Sequence, residues 1–230
     1  MGILVKIAGK KLEDVRLYLE SAVDHIIKGD LIAFPTDSVY GMGGDPLNLD
    51  LIERIKLLKF RDRSKGFLLL VADLEEAKKI AEFNPVAEAL ANQFWPGQLT
   101  LILKKKEESP IPPEISPNRA TIGLRVPENP IILELLRLLK VQGTLGVLIG
   151  TSANYSGEPP ATSGDEIAKI FMGAIDFIID GGKSKSQQAT TIVDCASEEI
   201  QFTRIGKIKK ETIVKFLKQT LDQNLKIRGE

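Results

Sequence analysis

The chain has 230 residues, with 31 basic side chains against 31 acidic ones, a single histidine and a single cysteine. The neutral balance argues against a general nucleic-acid coat protein. One cysteine excludes an internal disulfide framework and fits a reducing, cytoplasmic compartment, and so few His and Cys remove most zinc sites and the Ser-His-Asp and Cys-His devices.

Along the chain, helical and strand patterns alternate. The opening apolar run is too short for a signal peptide, and no window approaches 18 apolar residues, so no membrane span is expected. Residues 11–28 read as a helix with Leu12, Val15, Leu19, Val23, Ile26 and Ile27 on one face; the lone His25 rides on it as a packed or surface position. Residues 31–34 form a buried strand ended by Pro35. A Gly-rich loop, TDSVYGMGGDP, follows, and Asn48 or Asp50 caps the next helix. Residues 67–72 are a second buried strand, Asp73 with Glu76 forms a capping box, and residues 98–104 form another strand. The segment 109–118 holds four prolines and is a rigid connection or a loop over a site. Strands are expected at 121–126 and 145–150, with a helix at 130–140 between them. A helix follows from Ser163 to Met172, then short strands in IDFII, TTIVD and IQFTRI. An amphipathic helix over 210–225 carries Ile213, Phe216, Leu217, Leu221 and Leu225. No repeat or linker interrupts the pattern, which points to one α/β domain with a large mixed sheet and helices on its faces.

Four segments carry polar chemistry. In FPTDSVYGMGG (34–44), Thr36, Ser38 and Tyr40 offer hydroxyls where ligands of open α/β sheets tend to lie, beyond the end of a strand. The stretch Arg54 to Lys65 concentrates six cations: Arg54, Lys56, Lys59, Arg61, Arg63 and Lys65. If it is extended, Lys59 and Arg61 point the same way and can grip a polyphosphate. GTSANYSG (150–157) supplies Ser152 and Asn154 as neutral donors. ATTIVD (189–194) and FTRIG (202–206) supply Thr190 and Arg204. Each segment alone also reads as an ordinary turn or strand end.

Together and in this order they resemble the YrdC-like family, the L-threonylcarbamoyladenylate synthases. The family pattern P-T-x-T-V-Y-G-L-G, K-x-R, F-W-P-G-x-L-T, R-V-P, S-A-N-x-S-G, S-T-V-V-D and R-x-G meets PTDSVYGMG, KFR, FWPGQLT, GLRVP, SANYSG, TTIVD and RIG here, from about Gly29 to Gly206. The resemblance implies an open, twisted mixed sheet around a large basic cavity, with residues 1–206 as the catalytic domain and 207–230 as a helix docked on it. It implies formation of threonylcarbamoyl-AMP and pyrophosphate from L-threonine, bicarbonate and ATP, with Mg2+ on the phosphates. A downstream threonylcarbamoyl transferase would then modify tRNA.

By position, the resemblance places Lys59 and Arg61 at the reacting phosphates, and Lys65, Thr121, Asn154, Thr162 and Arg204 on ATP. It places Thr36, Ser38, Arg125, Ser152 and Thr190 around threonine. The chain departs from the pattern at Asp62, at Ile205 and at Leu70, where the family commonly has a His that helps hold threonine. Those departures keep two alternatives in view: an RNA-binding protein without catalysis, and a paralogue acting on another carbamoyl acceptor.

Overall fold

The computed structural model of the chain describes residues 2–62, 64–171, 173–184, 186, 188–221 and 227–228. Arg63 of the basic run, Met172 at the end of an expected helix and Leu225 of the C-terminal stripe lie outside them. The first half of the chain runs β1 (Ile3–Lys6), α1 (Arg16–Ile27), β2 (Ile32–Phe34), β3 (Gly41–Gly43), α2 (Leu49–Leu58), β4 (Leu68–Leu70), α3 (Leu74–Ile80), β5 (Ala81–Glu82), α4 (Pro85–Phe94) and β6 (Leu99–Lys105). The second half runs β7 (Thr121–Arg125), α5 (Pro130–Val141), β8 (Leu148–Ser152), α6 (Gly164–Phe171), β9 (Phe177–Asp180), β10 (Thr191–Asp194), β11 (Gln201–Arg204) and α7 (Lys210–Thr220).

The helix starts follow from side-chain caps. Asn48 accepts from Leu51 N at the head of α2, Asp73 from Glu76 N before α3, and Asn84 from Ala87 N before α4. Asn129 accepts from Ile131 N and Ile132 N before α5. Pro85 and Pro130 then occupy the first helical position, where a missing N–H costs no bond.

Among the described residues, eleven strands join in one mixed sheet in the order β1-β9-β2-β3-β8-β4-β7-β6-β10-β11, with β5 against the end of β6. The pairs β1/β9, β9/β2, β4/β7 and β6/β10 are parallel; the others are antiparallel. Three strands differ from the sequence reading, the short β5 among them, which was given no element. Gly41–Gly43, expected within a loop, is β3, seated between β2 and β8. Its glycines serve close backbone approach: a Cβ on Gly43 would stand 1.8 Å from the Ile149 carbonyl oxygen. The N-terminal Ile3–Lys6, given no element from sequence, pairs with β9.

The sheet buries both faces in part. On one, α1 and α5 cover β2, β8 and β9, packing Leu19, Ile26, Leu135 and Leu139 onto Ile32, Phe34, Leu148 and Phe177. On the other, α2, α4, α6 and α7 pack Ile52, Ile55, Leu90, Ile167, Ile213 and Leu217 onto Leu69, Leu101, Ile149 and Val193. Helix α7 ends at Thr220, and its Phe216 ring meets Phe94 edge-on at 5.5 Å. Toward β7, β6 and β10 the first face opens. Ile102, Thr121, Gly123 and Ile192 share it by strand register and are only half-buried.

His25 is a packing residue: Nδ1 lies 2.7 Å from Asp30 Oδ2, and the ring meets Phe177 at 4.9 Å. Burial pushes the Cys195 thiol up to about 12, so it is inert as a nucleophile. No helix among the described residues is long and apolar enough to cross a membrane.

Because the atom that a new Cβ would strike at residue 43 is backbone, Gly43→Ala must displace a central strand. Urea unfolding is expected to show a loss of about 3 kcal/mol; a loss well below 1 kcal/mol would mean that β3 and β8 part readily.

Candidate functional site

Helix α2 ends at Lys59, and Phe60 then turns left-handed, with φ 50°. The sequence reading had Lys59 and Arg61 aligned by strand alternation. The structure replaces that with a tight turn, and both side chains still reach the end of β8. Lys59 is 2% exposed. Its ammonium donates to the Ser152 carbonyl, to Asn154 O at 2.6 Å and toward Asn154 Oδ1 at 3.4 Å. Ser156 N returns a bond to Lys59 O at 2.9 Å. Burial, then the Arg61 charge, pushes the lysine down to about 7.

Arg61 donates from Nε to Lys65 O at 3.1 Å, from Nη2 to Gly66 O and toward Thr151 Oγ1 at 3.5 Å. Its guanidinium lies over Phe67, 4.8 Å from the ring centre. The proline-rich segment braces this turn: Ile111 and Ile115 are buried, and Phe67 N donates to Ile115 O at 2.7 Å.

A second cluster forms where the loop after β2 meets the end of β7. Thr36 Oγ1 donates to Val39 O at 2.7 Å and accepts from Ser38 N at 3.1 Å, which curls residues 36–39. Arg125, 3% exposed, donates from Nη1 to Ser38 Oγ at 3.0 Å, from Nη2 to Asp37 Oδ1 at 2.5 Å and from Nε to Gly97 O at 2.9 Å. Gln98 Nε2 donates to Asp37 O at 2.6 Å. Burial holds Arg125 below the usual arginine range, and Asp37 opposes that shift.

A third cluster lies at the start of β10. Thr190, 3% exposed, shares a hydroxyl bond with Thr100 at 2.9 Å. Arg204 donates to Thr190 O at 2.9 Å and to Thr190 Oγ1 at 2.8 Å.

Electrostatics joins the clusters. Besides burial, Lys59 is depressed by Arg61, Arg61 by Arg204, and Arg204 by Arg125. Four cations from three distant segments are therefore linked, each to the next. Among the described residues, Arg125 alone of the four has a carboxylate within ion-pair distance. Such a chain of mutually repelling charges is a functional signature rather than a stabilising one. Two other members of the basic run do structural work instead: Arg54 grips Asp176 at 2.6 Å, and Lys56 pairs with Glu53 at 2.7 Å.

Not every expected residue converges. Asn154 turns both amide hydrogens inward, to Tyr155 O at 2.9 Å and Glu158 O at 2.6 Å, so its donors serve the turn. The Ser152 carbonyl holds Lys59, and the residue is half-buried. Lys65 is exposed. Thr121 stands at the opposite end of β7 from Arg125, roughly 13 Å away at strand spacing. Thr162 is spent on the first turn of α6, its N and Oγ1 both donating to Glu166 Oε2 at 2.7 and 2.9 Å, while Ser163 Oγ accepts from Glu166 N at 3.3 Å as the cap. Leu70 pairs with Arg125 in register but packs into the α1/α5 core. The sequence reading missed Asp37, Gln98 and Thr100, although all three stand inside quoted motifs. Among the described residues, no group of three His, Cys, Asp or Glu is placed to hold a metal ion.

Residues 24–206 match the protein-family model Sua5/YciO/YrdC, described as "Telomere recombination". The chain is 33% identical over 218 residues to the threonylcarbamoyl-AMP synthase of Pyrococcus abyssi, covering 94% of this chain and 61% of that one. It is 32% identical over 190 residues to the threonylcarbamoyl-AMP synthase of Coxiella burnetii, covering 82% of this chain and 98% of that one. The solved structure of P. abyssi Sua5 complexed with L-threonine superposes with a TM-score of 0.85 at 31% identity, covering 98% of this chain and 62% of that one. The chain thus spans about three-fifths of the archaeal relative and nearly all of the shorter bacterial one. By the family model over residues 24–206 and by these relatives, the protein belongs to the Sua5/YciO/YrdC family.

Proposed function

We propose that this chain is an L-threonylcarbamoyladenylate synthase, a nucleotidyltransferase acting in the cytoplasm on L-threonine, bicarbonate and ATP. The observation that carries the reading is the run of cations Lys59, Arg61, Arg204 and Arg125, each sensing its neighbour and three of them without a carboxylate at ion-pair distance among the described residues. Relatives named threonylcarbamoyl-AMP synthase and a related structure holding L-threonine support it.

In this reading the threonine amine and bicarbonate give a carbamate and water. A carbamate oxygen attacks the α-phosphorus, the bond to the bridging oxygen of the β-phosphate breaks, and pyrophosphate leaves. Such a displacement needs alignment and charge neutralisation more than a proton-shuttling side chain. Arg61 and Arg204, close enough to sense each other, would neutralise the phosphates. Arg125, already bonded to Ser38, would take the threonine carboxylate. Thr190 would stand between Arg204 and the amino acid. A magnesium ion brought by the triphosphate would add to that charge neutralisation. In this reading the substrates would lie against the half-exposed face of β6, β7 and β10. A downstream transferase would pass the threonylcarbamoyl group to tRNA.

Arg61→Ala is expected to cut threonine- and bicarbonate-dependent pyrophosphate release by about 100-fold or more with an unchanged circular dichroism spectrum. Retained turnover would remove Arg61 from the phosphate site. A different amino acid working as well as threonine would point to another carbamoyl acceptor.

Lys59 sets a pH dependence. A charged Lys59 favours triphosphate, and the unliganded lysine loses its proton near 7. Below 7 it is charged already and binding takes up no proton. Above 7 binding must draw one in, so ATP affinity is expected to fall by up to about tenfold per pH unit. Calorimetry at pH 8 in buffers of different ionisation enthalpy should show proton uptake, and Lys59→Arg should abolish it. Equal heats in all buffers would exclude Lys59 as the titrating group.

A further inference from the structure

Two buried acceptor atoms beside Arg125 have no hydrogen-bond partner among the described residues: Asp37 Oδ2 and Gln98 Oε1. Buried polar atoms are satisfied in the large majority of cases, and a missing partner next to a site points to a ligand. The two residues are tied together, since Gln98 Nε2 donates to the Asp37 carbonyl at 2.6 Å. The Asp37 side chain is 10% exposed, and its other oxygen is committed to Arg125.

Arg125 has five N–H groups and spends three, on Gly97 O, Ser38 Oγ and Asp37 Oδ1. Two donors remain unspent beside two unspent acceptors. The cluster therefore offers hydrogen-bond donors with positive charge and acceptors with negative charge side by side. An α-amino acid zwitterion carries the reverse pattern on adjacent atoms.

We propose that Asp37 Oδ2 and Gln98 Oε1 form the acceptor subsite for the α-ammonium group of the amino-acid substrate, while the remaining donors of Arg125 face its carboxylate. The assignment rests on the proposed function and adds the amine half of substrate recognition to it. It also sets a selection rule: a carboxylic acid with a hydroxyl in place of the amine leaves the Asp37 oxygen without a cationic partner and binds weakly. This half of the pocket makes no use of residue 70, so Leu70 does not prevent amino-acid recognition.

The test pairs ligand and protein changes. Calorimetry measures L-threonine, its 2,3-dihydroxybutanoate analogue and ATP against the wild type, Asp37→Asn and Gln98→Met. The wild type is expected to prefer threonine over the analogue by roughly 10- to 100-fold, the usual worth of a hydrogen bond to a charged group. Each variant should lose most of that preference by weakening threonine alone, leaving the analogue and ATP within about threefold of wild type. Equal weakening of both ligands would mean that Asp37 only orients Arg125. An undiminished preference in both variants would mean that water satisfies the two oxygens; either result overturns the assignment. If Asp37→Asn no longer unfolds cooperatively, Gln98→Met decides, since it keeps the Asp37–Arg125 pair. A wild type that neither binds threonine nor releases pyrophosphate with it overturns the proposed function as well. Threonine-dependent release with no loss of preference overturns only the subsite.

Discussion

One nearly inaccessible ammonium group joins the last turn of α2 to the turn after β8. Taking an ammonium out of water is costly, and Lys59 recovers part of that cost only by facing the carbonyls of Ser152 and Asn154. The clasp places Arg61 beside Thr151 and fixes where the end of β8 sits relative to β4. The central strands, the cation chain and the SANYSG turn therefore share one anchor. Burial and the neighbouring guanidinium both work against its charge.

The two sides of the site balance charge differently. Around Lys59, Arg61 and Arg204 the positive charge lacks close carboxylates, which suits a strongly anionic ligand such as a triphosphate. Around Arg125 the charge is matched by Asp37, which suits a ligand of no net charge. A nucleotide and an amino acid make these two demands. The coupling of Arg204 to Arg125 brings the two demands side by side.

Much of the architecture was legible from the chain. Asparagine and aspartate caps, prolines at first helical turns and apolar runs placed the helices and most strands within a few residues. Strand β3 was hidden because Gly-Met-Gly looks like a turn until the neighbouring carbonyl of Ile149 shows why a side chain is excluded. Strand β1 was hidden because its four residues bury too little surface to stand out. In the site, the charged residues of the motifs were visible, but their geometry was not: Phe60, rather than strand alternation, directs Lys59 and Arg61. Asp37 and Gln98 were passed over because an unmet hydrogen-bonding capacity belongs to the folded surroundings and leaves no mark on composition or spacing.

The edge-on contact between Phe216 and Phe94 reaches further than packing. Helix α4 ends at Phe94, and the next three residues lead to Gly97, whose carbonyl receives Arg125 Nε. Peeling the C-terminal helix away would unsupport Phe94 and slacken the carbonyl that aims the guanidinium. Helix α7 thereby helps to keep the arginine in register from behind the sheet.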